Sequence, residues 1–417
     1  MWLVCFMGHP KSPFRRTSRR EALVSWFCRG FSSLFLLGAA SLSACGESRF
    51  PTSSPGLTYS NWSVSEVPWS IHVVQVERTN QAYQLESVHA GGRALGLDTL
   101  DAQLRLIDPG LGCPVAAVNG DFYQRDKAYA GAPRGLQVVK GQLLSGPSGA
   151  PCCWTDVLGE PHATAVASHF QITWPDGQVT PFGLNGDRSV AGIEVYTPAV
   201  GASTQTVGGR ELVLTRAAGS PWLPLRLDRT YTTRVQEVRE AGDTPMGPDI
   251  LVVSLGPTAV RSLPNVQTGA VLRIATTSVP ALPGIRTAIG GGPILVRNGK
   301  RQKLAGEAGE AYEISSRFER HPRTAVGWNQ RHFFLVEVDG RQRDLSVGMT
   351  LDELSQFLLK LGCQEAVSLD GGGSAALWHD GKIRNNPCDG YDRPIANALV
   401  VVKKAGKNGA SPAARSN

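Results

Sequence analysis

This chain has no Gly-x-Ser-x-Gly elbow, no Walker-type phosphate loop and no His-Glu-x-x-His pair. The common serine-hydrolase, nucleotide-binding and zinc-peptidase readings therefore have nothing to rest on. Cys-x-x-Cys pairs and histidine clusters are also missing, which removes the usual structural zinc sites. Charge is sparse. Only 18% of the 417 residues are charged, while 47 are glycine. That balance suits a strand- and loop-rich globule better than a helical bundle. The formal net charge is +7, yet Lys11, Arg15, Arg16, Arg19, Arg20 and Arg29 face Glu21 alone within residues 1–44, leaving +2 for the remainder. A body so nearly neutral, with no basic cluster, is not expected to bind nucleic acid. The apolar stretch at residues 31–42 falls short of the ~20 residues of a spanning helix.

What the N-terminus does carry is an address. Ser18-Arg19-Arg20-Glu21-Ala22-Leu23 reads as a twin-arginine export signal. The stretch at 31–42 has the length of a signal-peptide core. Leu42-Ser43-Ala44-Cys45-Gly46 reads as a bacterial lipobox with Cys45 as the lipidated residue; the alternatives are an ordinary signal peptide with a chance cysteine and an uncleaved anchor. The expectation is an exported cell-envelope lipoprotein, on the periplasmic or extracellular face of a bacterial membrane. Residues 1–44 would be its signal peptide, 45–69 a Ser/Pro-rich tether, 70–403 the folded domain and 404–417 a polar tail. Beyond Cys45 there are five cysteines, Cys113, Cys152, Cys153, Cys363 and Cys388, an odd number that leaves at least one thiol free. Cys363 with Cys388 is a possible disulfide.

Short alternating or wholly apolar runs bounded by turn residues predict strands at 71–76, 116–118, 170–174, 192–196, 211–214, 250–254, 271–274, 323–328, 332–338, 366–369, 375–378 and 395–402. Lys140-Gly141 and Asn298-Gly299 mark hairpins. One amphipathic helix stands out at 350–361. Thr350 with Glu353 forms a capping-box pattern, Leu351, Leu354, Leu358 and Leu361 share a face, and Gly362 ends it. The fold class expected is α+β, a single mixed, strand-rich domain with few helices.

Three segments have the composition of a site. In Leu369-Asp370-Gly371-Gly372-Gly373-Ser374 a carboxylate at a strand end precedes three residues without side chains and then a hydroxyl. Glycines allow backbone N–H groups to approach an anion, although Asp-Gly is also a common turn. In Asn119-Gly120-Asp121-Phe122-Tyr123 polar groups at a strand end precede aromatic rings, which suits a sugar site and reads equally as a turn followed by core aromatics. In Glu319-Arg320-His321-Pro322-Arg323 the strand-opening Arg323 suits bidentate contact with phosphate or carboxylate, and Glu319 and His321 are able to move protons. Arg323 reads equally as a structural ion-pair partner.

In order, Asn119-Gly120-Asp121-Phe122, Gly290-Gly291-Gly292-Pro293, His321-Pro322-Arg323-Thr324, Val338-Asp339-Gly340-Arg341, Gly348-Met349-Thr350-Leu351, Leu369 to Ser374 and Arg393-Pro394-Ile395-Ala396-Asn397-Ala398 resemble the phosphodiester glycosidase family. The resemblance implies hydrolysis of a sugar 1-phosphodiester. In that reading Asp370 is the base or orients water, with Glu319 and His321 as reserve acid and base. Arg323 and the amides of Gly371, Gly372, Gly373 and Ser374 hold the phosphate, and Asn119 and Asp121 hold sugar hydroxyls. A divalent cation near Asp370 is a possible cofactor, with its ligands open. The substrate expected is a sugar phosphodiester in envelope or exopolysaccharide glycans. The alternatives are a non-catalytic glycan-binding or exopolysaccharide-assembly lipoprotein, and a phosphodiesterase that splits P–O.

Overall fold

The structure, a computed structural model, describes residues 47–48, 52–125, 128–304 and 317–404. The expected signal peptide, Cys45 and the tail beyond residue 404 lie outside the described residues. Among those residues no helix is long and apolar enough to cross a membrane. The described residues fall in one compact unit carrying sheets of nine, twelve and five strands. Two α-helices, Leu100–Arg105 and Leu351–Lys360, are described. The α+β expectation therefore holds only loosely, because the molecule is mostly β.

One boundary moves. Leu57–Val64, inside the expected tether, is a strand paired along its whole length with Trp69–Glu77. Alternate residues Leu57 and Tyr59 enter the core, so this segment is held by burial as well as by its ladder. Its Ser- and Asn-rich composition masked a strand that packs Leu57 and Tyr59 on one face and Trp62 on the other.

The nine-stranded sheet has at its centre Trp69–Glu77, His332–Val338, Arg323–Trp328 and Glu365–Ser368, neighbours in that order and all antiparallel. Both faces are covered. Phe333 and Leu335 join one core, where the five-stranded sheet packs Ala116, Val118, Leu377, Leu399 and Val401. Phe334, Val336 and Val338 join another, under the Leu351, Leu354 and Leu358 face of the longer helix. Burial on both faces explains runs without alternation, each large side chain contributing about 1.5–3 kcal/mol. The twelve-stranded sheet, which curls nearly closed, wraps a separate core of residues such as Ile172, Leu214, Val253 and Leu272.

The two strands Cys113–Asn119 and Glu365–Ser368 end where Arg323–Trp328 begins, since Gly120 O accepts from Asp370 N (2.9 Å) and Leu369 N donates to Thr324 O (2.9 Å). His332–Val338 ends there too, with Val338 opposite Arg323. The loops that follow these strands are the ones singled out by sequence.

Cys363 and Cys388 do not bridge. All five described cysteines are free; Cys363 is buried beneath the longer helix, and Cys388 lies beside Asp389.

Candidate active site

Asp370 sits at the junction of two adjoining clefts. One, of about 420 Å³, is lined by Phe122, Glu319, His321, Arg323, Arg341, Arg393 and the three glycines. The other, of about 640 Å³, is lined by Phe122, Tyr123, Arg125, Arg134 and Gly186. Burial pushes the Asp370 carboxyl up to about 6, against the pull of Ser374, of the Gly371 amide (2.9 Å) and of the Arg125 and Arg393 charges. Desolvation is the larger effect because the carboxylate loses water on most sides. At neutral pH it is still mainly ionised, with a basicity suited to taking a proton.

The triglycine is explained by crowding. A Cβ on Gly371 would stand 2.6 Å from Pro322 O, and one on Gly373 would stand 2.0 Å from an Arg393 nitrogen. Gly372 has φ +60 and faces the Arg341 guanidinium. The amide cradle expected of this loop is largely used within the protein. Gly371 N donates to Asp370 Oδ1, Gly372 N to Pro322 O and Ser374 N to Gly371 O. The Ser374 hydroxyl is buried beside Asp370 but closes no well-formed hydrogen bond.

Asn119 is turned inward. It is 1% exposed; its Nδ2 donates to Asp370 O (2.7 Å) and its Oδ1 accepts from Thr324 Oγ1 (2.6 Å) and Ala376 N (3.0 Å). Its carboxamide clamps the Asp370 loop, and a sugar hydroxyl would have to displace one of these bonds. Asp121 is also buried. It accepts from Gly135 N (2.7 Å), and burial, with a further contribution from the Asp370 charge, pushes it up to about 7. Gly290 makes room for it, since a Cβ there would lie 2.4 Å from Asp121 Oδ2.

Arg323 lines the cleft, but its Nε donates to Met349 O (2.7 Å) and an Nη to Glu319 O (2.8 Å). Burial, then the neighbouring Arg341, lowers it to about 10. His321 lies between Glu319 (3.3 Å) and Arg341 (3.4 Å), and burial and the Arg323 and Arg341 charges lower its pKa. Arg125, Arg341 and Arg393 were not among the residues expected to form the site. The last two stood inside the resembling motifs, but nothing local in sequence shows that loops 125, 323, 341 and 393 converge. Arg393 is oriented by Asp389 (2.9 Å). Around Asp370 no metal-ligating cluster is found; among the described residues the one such group is His72, Glu337 and Asp339, behind the cleft.

With Arg125, Arg323, Arg341 and Arg393 against the carboxylates of Asp370 and Glu319, the cleft carries more positive than negative side chains and suits an anionic ligand. Residues 231–402 match the phosphodiester glycosidase family. The chain resembles that family, as its motifs implied. The match takes in Arg323, Arg341, Asp370 and Arg393 and leaves Asn119, Asp121 and Arg125 outside. A 104-residue stretch, 23% of this chain, is 36% identical to bovine N-acetylglucosamine-1-phosphodiester alpha-N-acetylglucosaminidase, covering 19% of that protein. An 83-residue stretch, 20% of the chain, is 36% identical to an uncharacterized prophage-derived protein of Bacillus subtilis, covering 13% of it. The chain thus spans under a fifth of the length of these curated relatives. A solved structure of a hypothetical protein from Synechocystis shares the fold, with a TM-score of 0.67 at 22% identity over 84% of this chain and 62% of that one.

Proposed function

We propose that this protein is a phosphodiester glycosidase that hydrolyses the glycosidic C–O bond of a sugar 1-phosphodiester. The observation that carries the reading is Asp370, a carboxylate with a pKa of about 6 in a cleft lined by Arg125, Arg323, Arg341 and Arg393. The phosphodiester enters among the arginines, of which Arg125, Arg341 and Arg393 offer guanidinium groups for contact and Arg323 supports the loop behind them. Phosphate is already a good leaving group, so charge neutralisation by arginine does most of what a general acid does in ordinary glycosides. Asp370 acts at the anomeric carbon, as base toward water or as nucleophile. Phe122, which lines both clefts, bounds the sugar side; the buried Ser374 hydroxyl supports Asp370, and Asp121, near half-protonation at neutral pH, stiffens the loop from beneath. Glu319 and His321 line the same cleft as Arg341 and serve as reserve acid and base for the leaving phosphate.

The twin-arginine and lipobox segments support action outside the cytoplasm, at the membrane through Cys45, on envelope or exopolysaccharide glycans. The name of the bovine relative suggests the first substrate class to try, an N-acetylglucosamine 1-phosphodiester. The test is release of N-acetylglucosamine from such a diester and from UDP-N-acetylglucosamine, run in heavy-oxygen water. Label in the sugar and loss of turnover by a thousandfold or more in a folded Asp370→Asn variant are expected. Label in the phosphate would replace this reading by P–O cleavage. Binding without product would favour a glycan-binding protein.

A further inference from the structure

The strands behind the cleft hold a second set of reactive side chains that the proposed hydrolysis does not use. On His332–Val338, Phe333 and Leu335 point into the core between the nine- and five-stranded sheets. The next position on that face is Glu337. On Trp69–Glu77, Val76 and Val74 are followed on the same face by His72, the Cα partner of Glu337. Asp339, two residues beyond Glu337, stays beside them because its N–H donates to Ser70 O (3.0 Å). The apolar alternation of two central strands is thus broken in one place by an imidazole and two carboxylates, at 5%, 0% and 1% exposure for His72, Glu337 and Asp339.

Buried carboxylates in native proteins are paired. Here the pairing is incomplete. Asp339 Oδ1 accepts from Asn386 N (2.7 Å) and Oδ2 lies 3.1 Å from His72 Nε2, but neither Glu337 oxygen closes a well-formed hydrogen bond, although the Asn385 side chain lies near. One donor atom from each of the three residues lies within 4.8 Å of the other two. Ligands about 2.0–2.2 Å from a tetrahedral zinc-sized ion stand roughly 3.3 Å apart, close to the His72–Asp339 separation. The other imidazole nitrogen, Nδ1, is 2.8 Å from the Tyr59 hydroxyl. An Nδ1–H donated to that oxygen makes Nε2 the acceptor nitrogen, the usual arrangement of a metal-bound histidine; a cation there would take the place of the Asn61 amide (3.2 Å) and the Ser70 hydroxyl (3.3 Å) that now lie against it.

We propose that His72, Glu337 and Asp339 bind a divalent transition-metal cation, Zn2+ or Mn2+, which ties the strand of His72 to that of Glu337. One nitrogen with two carboxylates favours this class over Ca2+, which takes six to eight oxygens. The role is structural. Glu337 is also the Cα partner of Thr324, whose hydroxyl donates to Asn119, the clamp on Asp370. Fixing Glu337 therefore steadies the floor of the cleft without placing the ion in it.

A site this enclosed fills as the strands close, so loading must accompany folding. The full chain would be refolded from denaturant with Zn2+, with Mn2+, with Ca2+ or with EDTA, desalted, and its metal content measured by mass spectrometry. One equivalent of Zn2+ or Mn2+ is expected in the native protein, and a loss of tenfold or more in Glu337→Gln. The melting temperature should rise by roughly 4 °C in saturating metal and stay unchanged in the variant. Absence of bound Zn2+ and Mn2+ in folded native protein, equal retention by Glu337→Gln, or retention of Ca2+ alone would each overturn the proposal. Should Glu337→Gln fail to fold, Co2+ substitution of the native chain decides. A visible d–d absorption that Zn2+ displaces supports the site, and its absence ends the idea.

Discussion

Asn119 shows how one side chain acts through others. Sequence offers it as a sugar ligand; in the structure its carboxamide joins the Asp370 loop, Thr324 and Ala376. Asn119→Ala leaves the Asp370 carbonyl, the Thr324 hydroxyl and the Ala376 amide each short of a partner, so a loss of about 2–3 kcal/mol is expected by urea unfolding. A direct sugar contact would instead raise KM at unchanged stability. Gly371 makes a second case. A Cβ 2.6 Å from the Pro322 carbonyl meets backbone that cannot rotate away. Gly371→Ala should cost about 1–3 kcal/mol and at least tenfold in kcat/KM, because the loop it moves carries Asp370. These two residues were visible in sequence as polar-plus-glycine clusters. Their roles were not, since crowding and bond partners come from segments more than 40 residues away.

Among the elements, the helix Leu351–Lys360 was the most legible. Thr350 Oγ1 accepts from Glu353 N (3.1 Å) and Glu353 returns to Thr350 N (2.9 Å), so the capping box read from sequence is present. Glu353 also pairs with Arg320 (2.5 Å), which ties the helix start to the loop of His321. Thr350→Ala should lower stability by about 1 kcal/mol in chemical denaturation, with a smaller effect on turnover. The strands Arg323–Trp328 and His332–Val338 were equally plain, because both are apolar runs closed by turn residues. Leu57–Val64 was not, since Thr58, Ser60, Asn61 and Ser63 interrupt its apolar pattern. What a strand run alone cannot show is its neighbour. Trp69–Glu77 lies beside His332–Val338 across more than 250 residues of chain, and that pairing creates the His72–Glu337 contact.

For the whole molecule, buried acids set the response to pH. Burial raises Asp121 and Glu194 to about 7 and Asp370 to about 6. The folded state then keeps protons that the unfolded chain releases near pH 4. By linkage, their contribution to stability is greatest at low pH and declines as pH rises from about 4 to 7. Melting temperatures across that range should show the decline, and Asp121→Asn should flatten it. Activity runs the opposite way. If Asp370 is the base, kcat/KM rises with pH through about 6 and levels above it. A flat profile between pH 5 and 7 would remove Asp370 from that role.

Local pattern was enough to determine the strand-rich character of this protein, its one well-capped helix, the segments able to hold chemistry and the family resemblance. Each depends on residues close together in the chain, where periodicity, capping and turn chemistry act. Tertiary structure alone decided which arginines surround Asp370, that Asn119 and three of the loop amides are already bonded, and that His72, Glu337 and Asp339 meet in the core. Those outcomes depend on strand order and register, and a pairing between distant strands is set by the burial of both faces together rather than by either sequence segment alone.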